Sequence, residues 1–94
     1  MIKELEKWYQ SQCDGKWEHK FGVRIGTIDN PGWSVTINLQ GTDLEGKGLE
    51  KHKDNYDHET DWMICEKKDN CFVGYSGPNR LEDVITFFIG WAKS

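Results

Sequence analysis

Apolar residues recur along this chain with two different spacings, and the changes between them mark the predicted elements. Between residues 2 and 13 they fall three and four positions apart, as on one face of an α-helix. These residues are Ile2, Leu5, Trp8, Tyr9 and Cys13. Asp14-Gly15 follows and predicts the helix end, because glycine readily adopts the left-handed conformation of a helix cap. The first element is therefore an amphipathic helix of about three turns.

The period shortens to two between residues 17 and 25, which predicts a half-buried strand. Its apolar-side positions are Trp17, His19, Phe21, Val23 and Ile25. Asn30-Pro31-Gly32-Trp33 predicts a type II turn, in which proline presets one dihedral angle and glycine supplies a positive φ. Alternation resumes over Trp33–Leu39, so we expect an antiparallel hairpin.

The second half of the chain predicts another hairpin and a long helix. Residues 41–61 form either an edge strand or a loop, since they hold few apolar anchors. Apolar residues alternate again at Trp62 and Ile64 and at Cys71, Val73 and Tyr75, which indicates two strands that turn at 68–70. Asn79, with Glu82 three residues on, predicts a capped helix start. The apolar face of that helix consists of Leu81, Val84, Ile85, Phe88 and Ala92, widened by Phe87, Ile89 and Trp91, so we expect it to be the most buried helix.

These elements predict one α+β domain over residues 1–94. Its antiparallel sheet has four or five strands, and the N-terminal and C-terminal helices pack on one face of the sheet. The length of 94 residues agrees with this, because a chain of this size builds one thin core.

The net charge of -4 arises from one segment of the sequence. Residues 1–42 and 62–94 each contain equal numbers of acidic and basic residues, whereas 43–61 contain seven acids against three lysines. A nucleic-acid-binding role is disfavoured, because such proteins cluster lysine and arginine to neutralise phosphates. No segment approaches the ~20 apolar residues that span a bilayer, and the N-terminus has no apolar signal core, so we expect a cytoplasmic protein without membrane contact.

Cysteine and histidine do not predict a metal or cofactor site. The three cysteines (Cys13, Cys65 and Cys71) form no C-x-x-C pair, and the histidines (His19, His52 and His58) are scattered. We expect reduced thiols that act as small buried residues, although a local pair between Cys65 and Cys71 stays conceivable.

Two features suggest function. Glu18, His19 and Asp29 are residue types that perform acid–base chemistry, but strand alternation places Glu18 and His19 on opposite faces, with His19 on the packed one. The five tryptophans are either core residues or, in part, exposed anchors of a protein interface.

Two sequence blocks resemble the immunity protein 53 family of bacterial polymorphic toxin systems. They are C-D-G-x-W-E-H at residues 13–19 and D-N-P-G-W at residues 29–33, and shorter similarities include Gly77-Pro78-Asn79. The resemblance spans nearly the whole chain, including Asp61-Trp62, but it is loosest over the acidic residues 43–60, which cannot be carried over. It implies an antidote that binds a cognate toxin and blocks it, and it transfers no catalytic residue.

We therefore expect a non-enzymatic protein that neutralises a cognate toxin by binding a basic surface of that toxin. A nuclease is the candidate toxin, because the substrate-binding surfaces of nucleases are basic. The predicted toxin-binding residues are Asp43, Glu45, Asp54, Tyr56, Asp57, Glu59, Asp61 and Trp62. The alternatives are a small enzyme or ligand-binding domain that uses Glu18, His19 and Asp29, and a subunit of a larger assembly.

Overall fold

The computed structural model describes all residues from 1 to 94 and contains three helices and one five-stranded antiparallel sheet. The helices are α1 (Ile2–Gln12), α2 (Trp17–Lys20) and α3 (Leu81–Lys93). The strands are β1 (Val23–Ile28), β2 (Gly32–Asn38), β3 (His52–Asp54), β4 (Met63–Lys68) and β5 (Cys71–Ser76). Their order across the sheet is β1-β2-β5-β4-β3, so the hairpins β1–β2 and β4–β5 meet at β2 and β5. The predicted α+β class is confirmed.

One face of the sheet contributes the core. Val35 and Ile37 of β2 lie in register with Gly74 and Phe72 of β5, and all four are buried. Successive side chains of a strand point to opposite faces, so Tyr75 lies on the other face, where it is exposed. The strand alternation in the sequence therefore identified the buried face of β2 correctly. For β5 it was wrong, because the predicted apolar positions Cys71, Val73 and Tyr75 lie on the other face. The core face of β5 instead has Phe72, Gly74 and Ser76, and α3 lies so close that a Cβ at Gly74 would collide with Val84.

Helix α3 lies across this buried face. The Phe88 ring is 5.0 Å from Phe72 of β5 and 5.1 Å from Trp8 of α1, edge to face in both pairs. Such pairs contribute about 0.5–1.5 kcal/mol beyond their buried area. Leu5 of α1 joins the same core, so both terminal helices lie on one side of the sheet, as predicted. Helix α3 contributes four buried residues against one from α1.

The tryptophans link distant segments to this core. Trp17 is buried and the other four are half-buried. Three indole N–H groups each donate a 2.9 Å hydrogen bond to a backbone carbonyl far along the chain. The pairs are Trp17 with Gln40, Trp33 with Pro78, and Trp91 with Gly48. Packing is thus the main use of the five indoles.

The predicted strand from Trp17 to Ile25 is wrong in its first half. Residues Trp17–Lys20 form the short helix α2, and β1 begins at Val23. His19 was expected on the packed face, but it is exposed, because a helical turn does not alternate its side chains as a strand does.

Local hydrogen bonds explain this helical turn. The Asp14 carboxylate accepts 2.9 Å bonds from the N–H groups of Lys16 and Trp17. The Glu18 carboxylate in turn accepts bonds from the N–H groups of Asp14 and Gly15, also at 2.9 Å. These reciprocal hydrogen bonds hold residues 14–17 in a turn that leads into α2, so the backbone is helical where the period-two pattern predicts a strand.

The turn at residues 30–33 also differs from the prediction. The Asn30–Pro31 peptide bond is cis, and Gly32 is the first residue of β2 without a positive φ, so the turn is not type II. Glycine is needed there for space, because a Cβ at Gly32 would collide with the carbonyl oxygen of Ser76. By contrast, Asp69 and Asn70 form the predicted turn of the second hairpin, with φ angles of 52° and 64°.

The predicted capping box of the last helix does not form. Arg80 precedes the first helical residue, and no side chain caps the backbone there, so Asn79 is not the N-cap. The Arg80 guanidinium bonds instead to Asp83 in the first turn of α3. An ion pair between Arg80 and Asp83 is therefore found where the sequence predicts a side-chain cap of the backbone.

Residues 41–61 combine the two predicted alternatives. The three-residue strand β3 pairs with β4 at the sheet edge, and the rest is loop. Residues 41–51 lie along the core side, where Leu44 is buried and the Lys67 ammonium donates to the carbonyl oxygens of Leu44 and Lys47, at 3.4 and 2.8 Å. No helix of the chain is both long and apolar enough to cross a bilayer.

Replacing Phe88 by alanine tests the contact between the layers. Because Phe88 is completely buried, we expect Phe88→Ala to lower the free energy of unfolding by about 3–5 kcal/mol. Thr86→Ala is the matched control on the exposed side of α3 and should change it by less than about 0.5 kcal/mol. Urea titration measures both. Equal effects of the two substitutions would show that the Phe88 contacts do not hold the layers together.

Candidate functional site

The structure divides the predicted toxin-binding residues between two ends of the sheet. Asp43 and Glu45 lie near the β4–β5 turn, whereas the remaining six lie near the start of β4. Strand β4 separates the two groups by about 17 Å, the length of a six-residue strand. The eight residues therefore do not form one continuous patch.

In the first group only Glu45 is occupied with internal contacts. The Glu45 carboxylate accepts hydrogen bonds from the Asn70 side chain at 3.0 Å and from the Gly41 N–H at 3.2 Å. These two bonds lower the pKa of Glu45. Asp43 is exposed and borders a crevice between α1 and α3, where Lys93 is paired with Glu4. Asp43 is therefore a single free carboxylate, remote from the second group.

The second group surrounds a loop, residues 55–61, that we call the acidic loop. The Asn55 side chain donates a 2.6 Å hydrogen bond to the carbonyl oxygen of Asp61 and so joins the two ends of the loop. Nδ1 of His58 accepts bonds from the N–H groups of Thr60 and Asp61, at 3.2 and 2.9 Å. The acidic loop therefore has a defined shape of its own before any partner binds.

Arg80 binds three carboxylates around the base of the acidic loop. Its guanidinium contacts Asp54 at the end of β3, Asp83 in α3 and, at 3.3 Å, Asp61. Only 15% of the Arg80 side chain is exposed. The hydrogen bond from Arg80 lowers the pKa of Asp54, and the same contacts raise the pKa of Arg80. Asp54 and Asp61 are thus partly neutralised within the protein.

Two acids of the loop retain their full charge. The Asp57 and Glu59 carboxylates are exposed and form no hydrogen bond or ion pair within the chain. Of the four acids predicted in this region, these two are the ones available to an external cation.

An aromatic pair lies next to these free carboxylates. Tyr56 is 50% exposed, and its ring packs edge to face against the half-buried Trp62, with centroids 5.8 Å apart. The Lys53 ammonium lies 4.9 Å from the centre of the Tyr56 ring. Trp62 in turn is fixed by the sheet, since its carbonyl oxygen accepts a hydrogen bond from the Gly77 N–H. The structure therefore brings Asp57, Glu59 and the aromatic pair together.

The structure does not bring Glu18, His19 and Asp29 together. Glu18 lies in α2, and hydrogen bonds from the backbone N–H groups of Glu18 itself, Asp14 and Gly15 lower its pKa. Asp29 follows the far end of β1, a six-residue strand about 17 Å long that separates it from Glu18 and His19. The three residues that would perform acid–base chemistry are too far apart to act on one substrate.

The cysteines and histidines form no site either. No group of three histidine, cysteine or acidic side chains is placed to hold a metal ion. All three thiols are free; Cys65 is buried on the core face, and burial raises its pKa to about 12. Cys71 lies on the opposite face of the sheet and is only half-buried, so the conceivable pair with Cys65 is not formed.

Sequence reasoning missed Arg80 as an organising residue. Asp54 and Asp61 lie 26 and 19 residues before it, and no local spacing connects them to it. The only local signal is Asp83, which follows at i+3.

Removing the Arg80 guanidinium tests this arrangement. In Arg80→Gln, we expect the pKa of Asp54 to rise towards the ordinary value of about 3.9. A lowered folded-state pKa stabilises the fold above the unfolded pKa, and this stabilisation is lost as the pH falls through the folded value. The stability difference between wild type and variant should therefore be larger at pH 7 than at about pH 2.

Arg24→Gln is the matched control, since Arg24 is an exposed arginine with no carboxylate partner. NMR titration of the Asp54 carboxyl and urea unfolding at both pH values give the two measurements. An unchanged Asp54 pKa in Arg80→Gln would refute the proposed organising role.

Comparison with known proteins identifies the family of the chain. Searches of the curated proteins and of the solved structures found no match. The family model described as immunity protein 53 matches residues 2–93, nearly the entire chain. The domain described above, with its five-stranded sheet and two terminal helices, therefore belongs to the immunity protein 53 family.

Proposed function

We propose that this chain binds a cognate toxin directly, and that the acidic loop with the Tyr56–Trp62 pair forms the contact. Membership of an immunity protein family suggests toxin neutralisation. The observation that carries the proposal for the surface is the pair of free carboxylates, Asp57 and Glu59, beside the half-exposed ring of Tyr56. Neutralisation by contact requires no catalytic step, so we propose that the chain is not an enzyme.

The chemistry of the loop favours a partner with a basic surface. Two unpaired carboxylates on an ordered loop attract cations over several ångströms and accelerate association. A tyrosine at the edge of such a patch supplies apolar area and a polar hydroxyl, which suits the centre of an interface. A nuclease has such a basic surface, because it must attract phosphates. We therefore propose a nuclease toxin met in the cytoplasm.

Asp43 and Glu45 are less suited to this contact. They lie at the other end of β4, and Glu45 is already bonded to Asn70 and Gly41. Asp54 and Asp61 contribute mainly by shaping the loop through Arg80. We assign the charge attraction to Asp57 and Glu59 alone.

Co-expression with the product of the adjacent upstream gene tests the class of function. We expect the immunity chain to restore growth of cells that produce this gene product and to form a stable complex with it. Absence of both effects would contradict direct neutralisation and favour a role in a larger assembly.

Neutralising the two free carboxylates tests the surface. The double variant Asp57→Asn/Glu59→Gln should reduce the association rate with the toxin by about threefold to tenfold at low salt and flatten its salt dependence. The rate is measured by stopped-flow fluorescence at several ionic strengths.

The matched control is Asp29→Asn/Asp69→Asn, which changes the net charge by the same amount in two turns outside the acidic loop. Asparagine suits position 69, where φ is positive. If both double variants slow association equally, net charge explains the effect; if neither does, the toxin binds another surface.

A further inference from the structure

Strand β1 leaves one edge of the sheet open. It pairs only with β2, and the Asn38 N–H donates to the Gly22 carbonyl oxygen. Backbone groups of an antiparallel strand alternate between its two sides, so Arg24, Gly26 and Ile28 also bond towards β2. The N–H and C=O groups of Val23, Ile25 and Thr27 therefore point away from the sheet. A six-residue strand thus presents a row of unpaired donors and acceptors.

The opposite edge is protected against such pairing. Strand β3 has only three residues, His52, Lys53 and Asp54, and Asp54 is held by Arg80. Short, charged edge strands prevent pairing with another chain. The only charged residue of β1 is Arg24, and its side chain is on the face opposite to Val23 and Ile25. The two edges of the sheet differ, and only β1 is suited to receive another strand.

A groove borders the first half of β1, from Val23 to Ile25, and reaches both faces of the sheet at this edge. Its volume is about 730 Å³, and it lies where α1 and α2 leave β1 uncovered. Three of the six large apolar side chains that the protein exposes line this groove: Ile2, Tyr9 and Ile25, at 48%, 38% and 41% exposure. Val23 and Ile25 lie on the same face as the core residues Ile37 and Val35. A strand added to β1 would place every second side chain over this apolar groove.

The charges around the groove favour an acidic occupant. Four charged side chains line it: Glu6, Glu18, Lys20 and Arg24. Glu6 pairs with Lys3, and Glu18 accepts hydrogen bonds from the N–H groups of Asp14 and Gly15. Lys20 and Arg24 form no salt bridge within the chain, so an extended segment with acidic flanks would neutralise the two charges that are left unpaired.

We infer that β1 is the docking edge for an extended strand of the cognate toxin, which adds to the sheet and inserts alternate apolar side chains into the groove. Main-chain hydrogen bonds supply affinity in this mode, and the groove supplies specificity. The inference rests on the proposed function, because it assumes that the toxin is the partner. The toxin would then contact the chain at two places: the acidic loop, next to β3, and the edge strand β1. These two edge strands are about 19 Å apart across the five-stranded sheet.

The test uses the complex of the full chain with the co-expressed toxin. Ile25→Asp puts a charge over the apolar groove, and Thr27→Pro removes one outward N–H while the bonds to β2 remain. Each should weaken binding at least tenfold by calorimetry. Tyr75→Asp is the matched control, because Tyr75 is a strand residue with 39% exposure on the opposite face, and it should change the affinity by less than threefold.

Hydrogen exchange gives a measurement that does not depend on any variant. The amides of Val23, Ile25 and Thr27 should exchange fast in the free wild-type chain and slowly in the complex. The inference is wrong if these amides still exchange fast in the complex, or if both β1 variants fold and bind the toxin as tightly as wild type. Neither result would contradict the proposed function.

Two other outcomes separate the two proposals further. If the wild-type chain forms no complex with the toxin, the proposed function is wrong, and so is the assignment of β1 as the docking edge for the toxin. If sedimentation shows a dimer of the free chain that Ile25→Asp dissociates, a second copy occupies the edge, and the assignment to the toxin is wrong.

Discussion

The contact between Phe88 of α3 and Phe72 of β5 is the interaction on which the rest of the structure depends. A domain of 94 residues has one thin core, and here it lies between one helix and the three central strands. Helix α1 reaches this core through Leu5 and the edge contact of Trp8 with Phe88. Because the helix layer is centred on β2, β5 and β4, it leaves β1 incompletely covered. The apolar groove beside β1 is a direct consequence of that placement.

The position of α3 also determines the electrostatics of the acidic loop. Arg80 immediately precedes the helix, so the packing of α3 brings its guanidinium to Asp54 and Asp61. Asp54 and Asp61 thereby form ion pairs with Arg80, whereas Asp57 and Glu59 have no partner within the chain. The net charge of the segment describes its surface poorly, because three of its seven carboxylates are held by internal partners, namely those of Glu45, Asp54 and Asp61. The electrostatic attraction on a partner therefore comes from the charges that folding leaves unpaired.

Sequence reasoning succeeded where a pattern depends on neighbours along the chain. The helical spacing of the last apolar residues and the alternation of β2 are confirmed, because burial of one face follows directly from the period. It failed at residues 17–20, where hydrogen bonds to the side chains of Asp14 and Glu18 hold a turn inside an alternating pattern. It failed again at Gly32, where glycine is needed because the carbonyl oxygen of Ser76 on β5 lies too close for any side chain. Both failures come from hydrogen bonds or contacts that hydrophobic spacing does not encode.

The sequence by itself determined the α+β class, the two hairpins, the two terminal helices and the resemblance to the family that the family model confirms. These follow from local periodicity, turn residues and conspicuous sequence blocks. Only the tertiary structure decided which acids stay free and which strand edge stays open. The physical reason is that both depend on contacts between residues distant in sequence: Arg80 with acids 19 and 26 positions earlier, and β2 with β5, which places β1 at the edge.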